Sequence, residues 1–116
     1  MFANTLTLTI NAVAKTLVRI NQDSYGSEYK FSDSLEKIVM VIRHSTDTIK
    51  GLSVNRHNVY LERWIYATPT VSAKYWSVTS TMREQEGSGP TDLLLTHQGF
   101  NTLLLTLDDG LVVGEN

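Results

Sequence analysis

The run RHNVYLERWIYATPTVSAKYWSVTSTMR, from Arg56 to Arg83, decides the fold. It reads as two long strands joined by a tight connection at Thr68-Pro69-Thr70. In the second strand Trp76, Val78 and Met82 share a face with Ser80, while Tyr75, Ser77, Thr79, Thr81 and Arg83 share the other. Side chains alternate across a strand, so this period of two gives one apolar face and one face of hydroxyls, a ring and a cation. The first strand divides the same way, with Val59, Leu61, Ile65 and Ala67 against Asn58, Tyr60, Glu62, Trp64 and Tyr66. Arg63 interrupts its apolar set. Such a sheet needs a cover on one side and offers a broad reading surface on the other.

Working outward, Thr5 to Asn11 alternates strictly and predicts a half-buried strand carrying Leu6, Leu8 and Ile10 on one face. A second strand is expected at Thr16–Ile20 after a short connection at Asn11–Ala14, and a turn at Asn21–Ser24. Tyr25–Phe31 alternates as a third strand. Leu35–Thr46, rich in β-branched residues, predicts a fourth. It sets Ile38, Met40, Ile42 and His44 against Lys37, Val39, Val41, Arg43 and Ser45. Thr46–Asn55, containing Gly51, reads as a loop, and the last strand ends near Gln85.

The pattern then changes to a helical one. Gly87-Ser88-Gly89-Pro90 closes the strands, Pro90 suits a first helical turn, and Asp92 favours the positive end of the helix dipole. Leu93, Leu94, His97, Phe100, Leu103, Leu104 and Leu107 recur at helical spacing over Thr91–Leu107. Asp108-Asp109-Gly110 is expected to stop the helix, leaving Leu111-Val112-Val113 as an apolar tail. The fold class is therefore α+β, an antiparallel sheet with an N-terminal hairpin followed by a C-terminal helix. We read residues 1–116 as one domain, with hairpin and sheet over 1–86 and the helical region over 90–116. One leucine-faced helix cannot cover six strands, so the economical arrangement is a symmetric dimer whose helices interlock across partner sheets.

Bulk composition narrows the classes. The chain has 116 residues, 41% hydrophobic and 19% charged, which suits a packed domain and argues against disorder. No cysteine is present, which excludes disulfides and thiolate sites. No apolar run nears the ~18 residues of a membrane span, and the start lacks the pattern of a secretory signal. Ten basic against twelve acidic residues give a net charge of -2. Nucleic acid could then be bound only through charge gathered on one face. His44, His57 and His97 are dispersed, so no metal or other cofactor is expected. Asp108 and Asp109 read as a solvated helix end. The abundant Ser and Thr show no nucleophile–base pairing, so no enzyme is expected. Trp76 reads as core beneath the helix.

Laid out in this order, the chain resembles the coat proteins of the single-stranded RNA bacteriophages, the leviviruses. The resemblance rests on the strand pair at Thr5–Ile20, on VMVIRHS at Val39–Ser45 and on RHNVYLERWIY at Arg56–Tyr66. The Ser- and Thr-rich last strand and the C-terminal helix complete it. It implies a virion protein that assembles in the bacterial host cytoplasm, as dimers, into a small icosahedral (T=3) shell. Its partners would be further copies of itself, a hairpin of the genomic RNA and the phage maturation protein, with no membrane. Holding that hairpin would mark the genome for packaging and repress replicase translation. Two departures stand out: the Thr68–Ala73 connection is shorter than usual in that family, and so is the C-terminus.

Carried over strand by strand, the RNA face comprises Lys37, Val39, Val41, Arg43 and Ser45, then Asn58, Tyr60 and Glu62, then Tyr75, Ser77, Thr79 and Thr81. Lys37 and Arg43 would meet phosphates, and Tyr60 or Tyr75 would stack on an unpaired base. The hydroxyls would read base edges or ribose. Glu62 would repel phosphate unless it accepts from a base amine. The plainer reading of the same face is an ordinary solvated sheet. The plainer reading of the whole chain is a small dimeric β-sheet module that binds RNA or protein and forms no shell.

Overall fold

Six antiparallel strands run β1 (Thr5–Ile10), β2 (Val13–Asp23), β3 (Gly26–Ser32), β4 (Glu36–Ile49), β5 (Leu52–Ile65) and β6 (Lys74–Gln85). They lie in the sheet in chain order, each bonded to its neighbour in sequence. Helix α1 (Pro90–Leu111) follows. The computed structural model describes residues 1–115.

Two hairpins are tighter than the sequence suggested. At β1–β2 the turn is only Asn11-Ala12, both with positive φ (49° and 64°). That handedness matches the twist of the strands it joins. At β4–β5 the stretch 46–55 is not a loop. The strands continue, pairing Thr46 with Asn55 and Ile49 with Leu52, and turn at Lys50-Gly51 (φ 53° and 77°). Ile49, Leu52 and Val54 are the only large apolar residues in this stretch, too few to mark two strands, so the ladder of backbone bonds reveals them. Gly26, on β3, has a different reason to be glycine: a Cβ there would lie 1.9 Å from the Ile42 carbonyl oxygen.

The core lies on one face of the sheet, at its N-terminal end. Leu17, Tyr29, Ile38 and Ile42 are buried, and Leu6, Leu8, Ile10, Phe31, Met40, Val59 and Leu61 pack against them. Residues from β1 to β5 share this one cluster, so the sheet curls and its first hairpin folds towards its own middle. Burying each large side chain contributes about 1.5–3 kcal/mol. Polar ties hold the curl. The Tyr29 hydroxyl donates to the Ala3 carbonyl at 2.7 Å. Glu36, 3% exposed, receives Arg63 at 2.8 Å and is also bridged by Lys15. Those three residues come from β4, β5 and β2. The apparent break at Arg63 in the apolar alternation is thus a buried ion cluster.

The helix begins as expected, with Pro90 in its first turn and Asp92 there as the acidic residue. It does not stop at Asp108-Asp109-Gly110. It runs to Leu111, and the chain leaves at Gly114 (φ 84°), with the Glu115 amide donating to the Gly110 carbonyl at 2.9 Å. A left-handed glycine just beyond the end stops a helix more effectively than two weak helix formers within it. Leu93, His97 and Leu104 turn inward, and the His97 ring Nε2 meets Ser80 Oγ on β6 at 3.0 Å. No helix residue is buried. Within the single chain Trp76 is therefore uncovered: it lies on the helix side of β6 but is 49% exposed, beside the Arg63 guanidinium, and Val78 is 65% exposed. The curl of β1 and β2 covers the other end of that face and does not reach β6.

Candidate nucleic-acid interface

The opposite face is built row by row from the register. Lys37 stands across from Trp64, and Trp64 from Tyr75. The next rows are Val39–Glu62–Ser77, Val41–Tyr60–Thr79, Arg43–Asn58–Thr81 and Ser45–Arg56–Arg83. All twelve residues named from the sequence thus fall on one continuous surface, away from the core. The register adds Trp64, Arg56 and Arg83, and sets Lys30 beside Val39 and Glu28 beside Val41 from β3. Trp64 and Arg83 belong to the same alternation as the residues predicted from the sequence. Lys30 needed the β3–β4 register, which the sequence does not encode locally.

At one end the aromatic side chains touch. Trp64 and Tyr75 have ring centroids 4.3 Å apart and tilted by 51°. The Tyr60 and Tyr75 hydroxyls are 2.8 Å apart. That bond raises the Tyr60 pKa above its ordinary value, with burial adding to it, so Tyr60 stays a neutral phenol. The Lys37 ammonium lies 5.5 Å from the Trp64 ring centroid, and the Trp64 indole N–H donates to Glu62 at 3.0 Å. Glu62 is therefore occupied in orienting a ring. The result is a tilted pair of aromatic rings with a cation at its rim, and each exposed ring face suits stacking of an unpaired base.

At the other end polar groups hold one another. The Asn58 amide donates to the Thr79 and Thr81 hydroxyls at 3.0 and 2.8 Å. Arg43 forms an ion pair with Asp23 at 2.7 Å, both about half exposed. The Arg43 hydrogen bond, with one from the Tyr25 backbone, holds the Asp23 carboxyl below its usual pKa. An exposed pair of this kind contributes little to stability, so a phosphate can compete for Arg43. Lys30, Lys37, Arg43, Arg56 and Arg83 all lie here, half of the ten basic residues, against Asp23, Glu28, Asp47 and Glu62. The chain is acidic, yet this face is not.

Ser80 and His97 form a hydroxyl–imidazole pair that the sequence did not suggest, and Asn101 lies 3.3 Å from the other ring nitrogen. The pair is wedged between strand and helix, where it fastens α1 to β6. Among the described residues no group of three or more His, Cys, Asp or Glu converges as a metal cage. No described helix is long and apolar enough to cross a membrane.

Comparison with known proteins decides the family. The family model described as "Phage phiCb5, coat protein" matches residues 3–85, which is the whole sheet from before β1 to the end of β6. This chain belongs to that coat protein family. A solved structure, the bacteriophage EMS014 coat protein, superposes with a TM-score of 0.68. The match covers 90% of this chain and 73% of that one at 17% identity. At that identity the likeness establishes the fold: a curled six-stranded sheet followed by a helix. No curated protein matches the sequence. Membership makes this a phage capsid protein, a structural component of the virion shell that works by assembling with copies of itself.

Proposed function

We propose that this coat protein forms the shell of a single-stranded RNA phage of the levivirus type, and that its polar sheet face holds a hairpin of the genomic RNA. The observation that carries the reading is the register of β4, β5 and β6, which gathers cations, aromatic rings and hydroxyls on the face opposite the core. Lys37 and Arg43 take phosphates, Tyr75 with Trp64 stacks an unpaired base, and Asn58 with the Thr79 and Thr81 hydroxyls lies towards sugar and base edges. Val39 and Val41 form an apolar floor between them. Holding the hairpin serves packaging and represses replicase translation, and the phage maturation protein is a further partner in the virion.

The building block is an interlocked dimer. The chain exposes 8548 Å², against about 6,300 Å² for a compact monomer of its mass. Its radius of gyration is 16.9 Å, against about 13 Å for a compact chain of this length. The excess is of the size an obligate interface buries. Its apolar part is Trp76 and Val78 on β6 together with Phe100, Leu103 and Leu107 along α1, all exposed in the lone chain. Strand β6 ends the sheet with an open edge. Pairing two β6 edges about a two-fold axis joins the sheets and brings each helix over its partner's uncovered strand. Dimers then close into a T=3 icosahedral shell in the host cytoplasm, with the RNA face inward.

Filter binding of folded protein to the phage's own replicase-start hairpin tests the RNA role. Arg43→Ala and Tyr75→Ala should each cost about 1–3 kcal/mol of affinity, and binding should fall steeply with salt. Wild-type affinity in both variants would remove RNA from this face.

A further inference from the structure

We propose that His44 and His57 form a binding site for a late first-row transition-metal ion of the Zn2+ or Cu2+ class, on the helix side of the sheet. The two residues stand directly opposite one another on β4 and β5, towards the Lys50-Gly51 end of the hairpin. Their Nδ1 atoms are 2.9 Å apart and their rings meet edge to face, with planes at 70°. Two imidazole nitrogens bound to one ion at ~2.0–2.1 Å are separated by about 2.9 Å in a right-angled arrangement and about 3.4 Å in a tetrahedral one. The pair stands at the right-angled spacing and closer than the tetrahedral one.

Glu84, on β6, supplies what a metal-bound histidine needs behind it. Its Oε1 lies 3.3 Å from His57 Nε2, so that nitrogen carries the proton and Nδ1 holds the lone pair. A carboxylate behind an imidazole orients the ring and raises its basicity as a ligand. The second Glu84 oxygen is buried and has no hydrogen-bond partner. In the metal-free pair, His44 donates its Nδ1–H to His57. For both to ligate, His44 moves its proton to Nε2, with no net proton released, and turns its ring so that both lone pairs converge. His44 is exposed and lines an open cavity of about 500 Å³ with Met1, Phe2 and Arg19, so it has room to turn and the ion has a route in.

Two neutral imidazoles select zinc, copper or nickel over calcium and magnesium, which prefer oxygen. With two protein ligands the remaining positions belong to water, so the site exchanges its ion. A bound ion ties β4 to β5 and stabilises the folded sheet by mass action.

The test is isothermal titration of the full-length, chelator-treated protein with ZnCl2, with far-ultraviolet circular dichroism as the check on folding. Wild type should bind one ion per chain. His44→Ala, at an exposed position that leaves the fold intact, should abolish that binding, as should His57→Ala. His97→Ala should leave it unchanged. Glu84→Gln should keep the stoichiometry and weaken affinity by about 10–100-fold. Absence of binding in millimolar Zn2+, or binding by His44→Ala equal to wild type, would overturn the proposal. An unaltered affinity in Glu84→Gln would remove the carboxylate from the site.

Discussion

Replacing Glu36 tests how the curled sheet is held. Its carboxylate is 3% exposed and serves Arg63 and Lys15, whose side chains keep 26% and 15% of their exposure. Glu36→Ala strands two cations that water only partly reaches. Removing one partner of a fully buried pair costs about 3–5 kcal/mol, and partial access for both cations places this loss near the low end, at about 3 kcal/mol. Glu36→Gln keeps the shape and one acceptor and should lose roughly 1–2 kcal/mol. Burial alone would raise the Glu36 pKa, but hydrogen bonds and charge from Lys15 and Arg63 outweigh it and hold it below its ordinary value. A depressed folded pKa contributes stability that is present above the unfolded value, about 4.3, and is lost as pH falls through the folded one. Urea unfolding followed by circular dichroism should therefore show Glu36→Ala about 3 kcal/mol less stable at pH 7. The gap between wild type and Glu36→Gln should narrow steadily below about pH 4. Equal midpoints at pH 7, or a gap that persists undiminished in acid, would show that this cluster does not hold the hairpin down.

Other outcomes follow from the same geometry. Leu104→Asp should give insoluble protein, because a carboxylate between helix and sheet costs several kcal/mol; a soluble folded chain would contradict the interlocked dimer. Asp23→Asn frees Arg43 and should tighten hairpin binding by up to about fivefold in filter assays, whereas weaker binding would mean that Asp23 orients Arg43 for the ligand. Glycine substitutions in the 68–73 connection, where the Thr68 amide meets the Val71 carbonyl at 2.8 Å, should alter particle size or yield while leaving dimers folded. Unaltered particles would deny that turn an assembly role.

The two faces of the sheet were legible because alternation is a geometric necessity of a strand. Knowing which residues are strand was enough to place Lys37, Arg43, Tyr60 and Tyr75 together. What depends on register was not legible. The ladder from Thr46 to Asn55 holds only Ile49, Leu52 and Val54 as apolar markers, around a Gly that reads as a break, and the encounters of His44 with His57 and of Ser80 with His97 are made by pairing between distant segments. Trp76 is left uncovered within the chain for another reason. An apolar residue on the core side implies a cover, but the cover that this chain supplies itself, its curled first hairpin, ends short of β6. The helix end misled because Gly114, three residues beyond Leu111, outweighs the Asp-Asp-Gly run before it.

Assembly is the claim on which the rest depends, and negative-stain electron microscopy of the full chain expressed alone in bacteria tests it most directly. Closed, uniform, megadalton particles that retain host RNA are expected. Protein that purifies only as a soluble dimer of the 13.0 kDa chain, with no particles at any concentration or salt, would contradict it.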